Sequence, residues 1–414
     1  MCPSLGTANP EVRTLPRDRF SAPVRLYCCP LPPARALRLL ISCGEPSGEL
    51  YGSELVRHLR PELPGLDVFG LGGDRLEAEG AALVAHVREL AVVGLLEVVR
   101  HLRRFRQVFR GVLREVDRRR PDLAVLVDYP DFNFRLAAAL HRRGIPVVYY
   151  VSPQVWAWRP GRLRAMRTWV RHAMVIFPFE EAVYRDAGIP VTFVGHPLVD
   201  LVQPAADRRS FLEGAGLDPA RPVVGLLPGS RPQEVAHNLP PLEGAVAILA
   251  RRRPDLQFLL AVAPSLDGGG LERRLRSSPV RLVPNAAHAV LGASTVAVVA
   301  SGTATVEAAL LGTPMVVVYR LSPLTYALGR PFVKVSRFAM VNLIAGRSVV
   351  PEIIQGDFTP ARVAAETTRL LDDDGSRDEM RAGLADVRRL LGAPGASRRA
   401  ARIILDVWAD LKKA

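Results

Sequence analysis

Short runs of apolar residues alternate, from Leu37 onward, with longer stretches in which apolar residues recur at helical spacing. The short runs are typical of buried strands, and the longer stretches are typical of helices that cover a sheet. Their alternation predicts parallel strands joined by crossover helices. The predicted strands of the first half are Leu37–Ser42, Asp67–Gly70, Leu123–Val127, Val147–Val151, Ala173–Phe177 and Val191–Val194. Those of the second half are Val223–Leu227, Gln257–Val262, Val280–Val283, Val296–Ala300 and Met315–Tyr319.

A polar interval divides this pattern into two halves. Residues 198–216 mix acidic and basic side chains around Pro204 and Asp207, a composition that is typical of interdomain linkers. The chain is therefore predicted to be an α/β protein with two Rossmann-like, doubly wound domains, residues 37–200 and 201–414, that face each other across a cleft. Residues 1–36 are rich in proline and show no apolar periodicity, which predicts a loose N-terminal extension.

Composition narrows the class of protein. The 414 residues are 49% hydrophobic and 23% charged, which indicates a globular chain rather than a disordered one. The four cysteines fall within the first 43 residues without Cys-x-x-Cys spacing, so neither a disulfide framework nor a zinc site is predicted. No stretch is apolar enough for a convincing membrane span. The net charge of +14 leaves nucleic acid, an anionic membrane surface and a phosphorylated substrate as partner classes.

Half of the net charge lies in residues 100–120, which contain nine arginines against Glu115 and Asp117. At helical spacing the apolar residues of this segment share one face and the arginines share the other. The segment is either a domain helix with a solvated basic face or a contact with an anionic membrane, and the sequence does not decide between them. The predicted membrane contacts are Val92, Val93, Leu95, Leu96, Arg103, Arg106 and Arg110. Nucleic acid is disfavoured, because basic strands rich in aromatic residues are missing.

A candidate general base follows the third predicted strand. Ligands of open parallel sheets bind beyond the carboxyl ends of the strands, so the loop after each strand is a candidate site. Asp128 comes directly after Leu123–Val127, where partial desolvation suits its carboxylate to accept a proton. The nearby Asp131 is predicted to cap the helix that follows.

Two further loops of the first half are candidates for substrate binding. The turn Gly44–Glu49 permits close backbone approach to a ligand, although taken alone it fits an ordinary strand-to-helix turn better. Two tryptophans with a neighbouring arginine form either a wall for a sugar or acyl chain or part of the core. The candidate residues are Ser47, Gly48, Glu49, Trp156 and Trp158.

Two loops of the second half predict phosphate binding. In the first, Pro228–Arg231, backbone N–H groups, a hydroxyl and a guanidinium can converge on one anion. The second places hydroxyls at a helix N-terminus and a glutamate one turn later, within reach of a ribose. Either turn alone fits a purely structural role, but two such turns in one domain favour a nucleoside diphosphate. The candidate residues are Gly229, Ser230, Arg231, Ser301, Gly302, Thr303 and Glu307.

No metal ion and no cofactor are predicted. Asp372–Asp374 contains an Asp-x-Asp pattern, but it falls in a helix-ending loop without a histidine cluster, and we expect it to be solvated. The segment Gly70–Gly73 lacks the third glycine of a dinucleotide-binding fingerprint, which disfavours a dinucleotide site.

Seven motifs, taken in order, resemble those of the lipid-A-disaccharide synthase family: Gly44–Glu49, Glu89–Gly94, Asp128–Asn133, Ser152–Trp158, Pro228–Arg231, Ser301–Thr305 and Asn342–Arg347. The resemblance covers about residues 37–410. It implies an inverting glycosyltransferase of the GT-B type, which joins UDP-2,3-diacylglucosamine to lipid X, 2,3-diacylglucosamine 1-phosphate. The implied products are the β-1,6-linked lipid A disaccharide 1-phosphate and UDP.

The resemblance also implies roles for individual residues. Asp128 would be the general base, Arg231 the diphosphate contact and Glu307 the ribose contact. Asn342 would be a residue of the donor site. The chain departs from the residues usual in the family at Glu49 and Val341.

The acylated substrates imply a cytoplasmic enzyme that is peripheral on the inner face of the inner membrane. Its implied partners are UDP-diacylglucosamine, lipid X and an anionic membrane surface, without nucleic acid. The oligomeric state stays open, a homodimer included. Two other classes remain open: another GT-B transferase or epimerase that uses UDP-GlcNAc, and a non-catalytic basic protein that binds membrane surfaces. The last of these would leave Asp128 and the two phosphate turns unexplained.

Overall fold

The computed structural model describes residues 36–90, 98–153, 161–203, 207–321 and 337–413. The predicted N-terminal extension lies outside these residues, except for Ala36. Six predicted site residues also lie outside them: Val92, Val93, Leu95, Leu96, Trp156 and Trp158.

The first half of the chain forms a sheet of seven parallel strands in the order β3-β2-β1-β4-β5-β6-β7. The strands are β1 (Arg38–Cys43), β2 (Asp67–Gly72), β3 (Ala82–His86), β4 (Leu123–Val127), β5 (Val147–Tyr150), β6 (His172–Val175) and β7 (Val191–Phe193). Six of these confirm the predicted strands to within about two residues. The exception is β3, an edge strand that the apolar pattern did not indicate.

The second half forms a sheet of six parallel strands in the order β10-β9-β8-β11-β12-β13. The strands are β8 (Val223–Leu227), β9 (Gln257–Val262), β10 (Val280–Pro284), β11 (Val296–Ala300), β12 (Met315–Tyr319) and β13 (Glu352–Ile354). Five confirm the prediction, and the short edge strand β13 is additional. The predicted fold class, two doubly wound α/β domains, is confirmed.

Helices connect and cover the strands of both sheets. Those of the first half are α1 (Pro46–Leu59), α2 (Asp74–Ala78), α3 (Val98–Arg119), α4 (Pro130–His141), α5 (Arg162–Trp169) and α6 (Pro178–Asp186). The interval between the sheets contains α7 (Leu198–Leu201) and α8 (Arg208–Gly214). Those of the second half are α9 (Pro232–Arg252), α10 (Gly268–Leu275), α11 (Ala287–Ala293), α12 (Thr303–Leu310), α13 (Met340–Ala345), α14 (Pro360–Asp372), α15 (Asp374–Leu390) and α16 (Ala396–Lys413).

The central strands are buried on both faces, which explains their continuous apolar runs. All five residues of β4 and all five of β8 are buried. In β1, Leu39 and Ile41 pack into one core while Leu40 packs into the core on the opposite face. Burying each such side chain stabilises the fold by about 1.5–3 kcal/mol relative to exposing it.

The strand order reverses between β1 and β4 in the first sheet and between β8 and β11 in the second. At such a switch point, successive crossover helices leave the sheet on opposite faces, so their loops separate and open a crevice. The loops after β1, β4, β8 and β11 are four of the loops that the sequence singles out. The topology therefore brings the candidate base and the two phosphate turns to the crevices where ligands bind in this class of fold.

The last helix returns to the first domain. α16 packs against α1, and Nε of Arg399 donates a hydrogen bond to the carbonyl of Val194 at 2.8 Å. The carboxylate of Asp200 accepts a hydrogen bond from the backbone N–H of Gly395, also at 2.8 Å. The strands of the first sheet end before residue 200, and those of the second sheet begin after it. The predicted domain of residues 201–414 nevertheless includes a helix, α16, that lies on the first domain.

The arginine-rich segment is an amphipathic helix, α3, as predicted. Val112 and Val116 are fully buried against the first sheet, whereas Arg103, Arg106 and Arg110 are exposed. Within the described ranges, no helix combines the length and the apolar composition needed to cross a bilayer.

A buried amide connects the ends of two central strands at the first switch point. Nδ2 of Asn133 donates hydrogen bonds to the carbonyls of Asp128 (2.8 Å), Val127 (3.2 Å) and Ser42 (3.2 Å). Its Oδ1 accepts a hydrogen bond from the hydroxyl of Ser42 at 2.7 Å. Asn133 is fully buried, so its amide depends on these protein partners rather than on water.

We expect Asn133→Ala to lower the free energy of unfolding by about 3 kcal/mol, because each buried polar group left without a partner costs about 1–3 kcal/mol. Ser42→Ala removes one hydroxyl from the same centre and should cost only about 1 kcal/mol. Urea denaturation followed by circular dichroism measures both values. Equal costs for the two variants would contradict the central role of the amide.

Candidate active site

The chain bends sharply where β4 and β5 end. Asp128 and Tyr129 follow β4 with φ angles of 47° and 50°, and Val151 follows β5 with a φ of 52°. Residues other than glycine rarely adopt this left-handed region, least of all β-branched valine. The backbone N–H of Asp128 donates to the carbonyl of Tyr150 (3.1 Å), and the hydroxyl of Tyr149 donates to the carbonyl of Asp128 (2.8 Å). Strained backbone held in this way is characteristic of functional sites.

The carboxyl group of Asp128 is half-buried at the end of β4. Burial raises its pKa from 3.8 to about 7, and the nearby carboxylate of Glu45 adds to the rise. The backbone N–H of Tyr129 and the guanidinium of Arg231 act in the opposite direction. A base with a pKa near the working pH combines a large deprotonated fraction with a useful affinity for protons. Asp128 therefore has the acid–base properties that suit a general base.

The neighbouring Asp131 does not cap α4, so that prediction is wrong. The helix begins at Pro130, and Tyr129 holds the cap position. Proline is favoured at the first helical position because its fixed φ suits a helix and it has no N–H to leave unpaired. Asp131 lies in the first turn instead, and its Oδ1 forms an ion pair with Nη2 of Arg162 at 2.9 Å.

A carboxylate of the protein lies at the first predicted phosphate turn. Gly229 has a φ of 127°, which glycine alone adopts readily, and the turn leads directly into the start of α9. The backbone N–H groups of Ser230 and Arg231 donate to Oε2 of Glu234 at 3.1 and 3.3 Å. These are two of the donors predicted to hold an anion. Glu234 supplies that anion from within the protein.

Arg231 lies between two carboxylates. Its Nη1 is 2.9 Å from Oε1 of Glu234, and its Nη2 is 2.8 Å from Oε2 of Glu45. Although burial opposes the charge, these carboxylates raise the pKa of Arg231. Glu45 belongs to the loop after β1, so this ion pair connects the two domains. The arrangement is that of an anion-binding guanidinium whose present partners are carboxylates.

The second phosphate turn forms the amino end of α12. Gly302 precedes the helix with a φ of 152°, and Thr303 is exposed at its first position. The hydroxyl of Ser301 donates to the carbonyl of Phe338 at 2.9 Å. Glu307 lies one turn into the helix, and burial raises its pKa to about 7.

Asn342 and Glu49 are both buried, and their polar atoms are used within the protein. Nδ2 of Asn342 donates to the carbonyl of Val350 (2.9 Å) and to Oε1 of Glu352 (2.7 Å), while its Oδ1 accepts from two backbone N–H groups. Oε1 of Glu49 accepts from the backbone N–H of Arg75 at 2.8 Å. Both side chains fix the conformation of loops.

The loops from the two domains meet around a cavity of about 540 Å³. The predicted site residues that line it are Ser47, Asp128, Arg231, Gly302 and Thr303. The predicted residues absent from its lining, as far as the described ranges extend, are Gly48, Glu49, Gly229, Ser230, Ser301, Glu307 and Asn342. The candidate base and the candidate phosphate-binding guanidinium thus face one space from opposite domains.

Other residues that line the cavity were not predicted. They include Glu45, Tyr51, Arg162 and His196. His196 follows β7, so the rule that ligands bind beyond strand ends could have indicated it. Burial lowers its pKa to about 3, and its ring makes an edge contact with Tyr51 at a centroid distance of 5.9 Å. Tyr51 and Arg162 lie on helices, where sequence spacing does not show which residue faces a cleft.

Candidate metal ligands do not cluster in the part of the chain that the structure describes. No group of three His, Cys, Asp or Glu side chains comes together there. In the Asp-x-Asp segment, Asp372 accepts a hydrogen bond from Arg253 at 2.5 Å, and Asp373 caps α15 by accepting from the N–H of Ser376 at 3.1 Å. These carboxylates act as structural partners of neighbouring residues.

Solved structures show which class of fold the chain has. The chain matches the UDP-GlcNAc 2-epimerase from Neisseria meningitidis bound to UDP-GlcNAc with a TM-score of 0.63, at 12% identity over 89% of this chain and 100% of that one. It matches the glycotransferase of kitacinnamycin with a TM-score of 0.58, at 19% identity over 90% of this chain and 99% of that one. The fold is that of GT-B glycosyltransferases and related epimerases.

The sequence assigns the family within this class. A family model described as lipid-A-disaccharide synthetase matches residues 39–405. The chain is 49% identical to the lipid-A-disaccharide synthase of Koribacter versatilis over 380 residues, which cover 90% of this chain and 98% of that one. It is 44% identical to the synthase of Myxococcus xanthus over 372 residues, or 89% and 97% of the two chains. The chain belongs to the lipid-A-disaccharide synthetase family, and it is a hexosyltransferase of lipid A biosynthesis.

We expect kcat/KM to rise with pH through about 7 and then level, because Asp128 must lose its proton before it can accept another. Glu45→Gln removes a negative charge beside Asp128, so it should lower the pKa of Asp128 and move this rise to lower pH. Asp128→Asn removes the base and should lower the rate by about 10²–10⁴. The test measures initial rates of the wild type, Glu45→Gln and Asp128→Asn across the acid and neutral pH range.

A matched variant and a second carboxyl group make this test specific. Glu307 also has a pKa of about 7, but burial alone raises it, so Glu45→Gln should not affect it. If the rise of kcat/KM moves to lower pH in Glu45→Gln, the rise therefore reports the loss of a proton from Asp128. Glu62→Gln removes an exposed carboxylate outside the cavity and should leave the profile unchanged. A profile that is identical in wild type and Glu45→Gln would contradict the assignment.

Proposed function

We propose that the chain transfers 2,3-diacylglucosamine from UDP-2,3-diacylglucosamine to lipid X, with inversion at the anomeric carbon. The products are the β-1,6-linked disaccharide 1-phosphate and UDP. One observation carries the proposal: Asp128 of one domain and Arg231 of the other line the same cavity. An in-line displacement requires a base on one side of the donor sugar and positive charge on the other. The substrate class comes from the family and from the names of the curated relatives.

The proposed reaction exchanges one bond at the anomeric carbon. The 6-hydroxyl oxygen of lipid X attacks this carbon, and its proton passes to the carboxylate of Asp128. The bond between the anomeric carbon and the diphosphate oxygen breaks, and its electron pair leaves with UDP. Attack from the face opposite the leaving group produces the β linkage from an α-linked donor.

Arg231 is assigned to the diphosphate of the donor. A diphosphate carries more charge and more acceptor oxygens than a single carboxylate, so it is the stronger partner for a guanidinium. The side chains of Glu45 and Glu234, the present partners, are 35% and 20% exposed. They can turn outward when a diphosphate enters. The amino end of α12, at Gly302 and Thr303, offers further N–H groups to the same charge.

The other donor-side candidates have supporting roles in this proposal. Gly229, Ser230 and Ser301 shape the two turns, and Glu307 binds the ribose hydroxyls. Asn342 acts by holding its loop, since its amide is already fully hydrogen-bonded. No cofactor and no metal ion takes part in the proposed reaction.

The exposed face of α3 is the surface proposed to meet an anionic membrane, from which the acylated substrates come. A second cavity, of about 340 Å³, opens on this face. Its lining includes Phe105, Phe109, Arg106, Arg110, Arg135 and Arg142. Guanidinium groups beside aromatic rings suit the boundary between phosphate headgroups and acyl chains. The enzyme would then be peripheral on the cytoplasmic face of the inner membrane.

The reaction is tested by incubating the purified protein with both substrates and detecting the disaccharide by mass spectrometry. Arg231→Ala should weaken UDP binding and lower kcat together, each by about tenfold or more, because a charge-assisted contact to the leaving group is lost. Arg273→Ala removes an exposed arginine of the same domain and should change neither value. EDTA should not inhibit the wild type. Loss of activity in EDTA that magnesium restores, or normal kinetics in Arg231→Ala, would contradict the proposal.

Membrane contact is tested by cosedimentation with vesicles of phosphatidylglycerol and phosphatidylcholine. Reversing the charge of Arg103, Arg106 and Arg110 to glutamate should weaken binding more than tenfold, because each arginine near an anionic surface contributes about 1 kcal/mol. The effect should be larger at low salt.

The control reverses three exposed arginines of the second domain to glutamate, Arg251, Arg252 and Arg276, and makes the same change in net charge. This variant should bind the vesicles more tightly than the α3 variant does. Equal losses in the two variants would indicate a general effect of net charge and would contradict a membrane contact at α3.

A further inference from the structure

A second guanidinium lines the catalytic cavity on the side of the base. Arg162 begins α5 of the first domain and faces the cavity together with Asp128. Both groups influence the pKa of Tyr149, whose hydroxyl donates to the carbonyl of Asp128 at 2.8 Å. Arg162 and Asp128 therefore lie within electrostatic reach of the same residue. The transfer mechanism described above leaves Arg162 without a role.

Arg162 is held in position, while its ion-pair partner is exposed to solvent. The guanidinium carbon of Arg162 is 4.7 Å from the centre of the buried Phe134 ring, and the side chain is 24% exposed. The side chain of Asp131 is 77% exposed. Ion pairs with an exposed partner are weak, because water screens them. A stronger anion can therefore replace Asp131 while Phe134 keeps the guanidinium in place.

Arg231 has the same arrangement on the other domain, where a partly exposed Glu45 holds it. Among the described residues that line the cavity there are thus two guanidinium groups, one from each domain, and each is paired with a carboxylate that an incoming anion can displace. The proposed reaction brings two separate anions into this cavity. One is the diphosphate of the donor, and the other is the phosphate of the acceptor.

We propose that Arg162 binds the phosphomonoester of the acceptor sugar. This inference rests on the proposed function and identifies a subsite within it. The acceptor must lie on the side of Asp128, because Asp128 takes its proton. Arg162 belongs to the domain of Asp128, whereas Arg231 belongs to the domain of both phosphate turns. In the pyranose ring, C1 and the C5 that carries the 6-hydroxymethyl group both flank the ring oxygen, so a phosphate held at C1 restricts where the 6-hydroxyl can lie relative to the base.

Arg162 is then a specificity-determining residue. A phosphomonoester carries a charge of about −1.5 to −2 at neutral pH. It also presents pairs of oxygens that match the two parallel N–H donors of a guanidinium. A sugar without the phosphate would leave Arg162 paired with Asp131 and would lose both affinity and orientation.

The experiment measures transfer to two acceptors at saturating donor: 2,3-diacylglucosamine 1-phosphate and the same sugar without its phosphate. We expect the wild type to favour the phosphorylated acceptor. Arg162→Gln should lower kcat/KM for that acceptor about tenfold to hundredfold, mainly through KM, as expected for one lost charge-assisted contact. It should leave kcat/KM for the other acceptor nearly unchanged. Arg164→Gln, at an exposed position on the same helix, is the matched control and should behave as wild type with both.

Two more variants separate binding from a structural role. Arg162→Lys keeps the charge without the paired donors, so it should recover part of the discrimination. Asp131→Asn removes the competing carboxylate and should lower KM for the phosphorylated acceptor alone. A structural role of Arg162 would lower kcat/KM for both acceptors alike. That result, or full discrimination in Arg162→Gln, would overturn the proposal.

Titration calorimetry with UDP and with each acceptor separates this inference from the proposed function. Arg162→Gln should bind UDP as the wild type does. If the wild type forms no disaccharide but binds the phosphorylated acceptor more tightly through Arg162, the proposed transfer fails and the phosphate subsite stands. If transfer proceeds and Arg162→Gln binds both acceptors like the wild type, the subsite fails and the transfer stands.

Discussion

The buried amide of Asn133 joins the carboxyl ends of β1 and β4, and the geometry of the candidate active-site cavity depends on this connection. The amide of Asn133 and the hydroxyl of Tyr149 both donate to the carbonyl of Asp128. These hydrogen bonds help to hold Asp128 and Tyr129 in left-handed conformations. The same connection fixes where the loop of Glu45 begins, close enough for its carboxylate to raise the pKa of Asp128. One hydrogen-bonding centre therefore sets both the position of the candidate base and its electrostatic surroundings.

The cavity neutralises its own cations with carboxylates. Glu45 and Glu234 pair with Arg231, and Asp131 pairs with Arg162. These pairs hold the guanidinium groups in positions where phosphates can replace the carboxylates. In the proposed reaction, a diphosphate on Arg231 adds negative charge near Asp128, while the outward turn of Glu45 takes a carboxylate away from it. The two changes act on the pKa of Asp128 in opposite directions, so the incoming diphosphate takes over the electrostatic role that Glu45 has before the donor binds.

The sequence could predict the buried strands and their loops because each is marked by a pattern of a few adjacent residues. β4 and β8 are continuous apolar runs, and the loops that follow them are next in the chain. β3 and β13 are edge strands and lack a continuous run of buried apolar residues. Most residues of β3 are half-buried or exposed, and β13 has only three residues. The pairing of Glu45 with Arg231 spans 186 positions, and no local pattern predicts it. The role of Asp131 was predicted wrongly because Pro130, rather than the aspartate, determines where α4 begins.

His196 adds no positive charge to the described lining of the cavity. Its Nδ1 accepts a hydrogen bond from the backbone N–H of Leu198 at 3.2 Å, so the proton of the neutral ring is assigned to Nε2. Burial lowers its pKa to about 3, and the ring is therefore neutral wherever Asp128 can act as a base. Among the described residues that line the cavity, the permanent positive charges are those of Arg162 and Arg231. A third cation would give the acceptor phosphate a second place to bind and the sugar a second orientation. With His196 neutral, the described lining has one guanidinium for each of the two proposed phosphorylated substrates, which fits the proposed placement of the acceptor hydroxyl at Asp128.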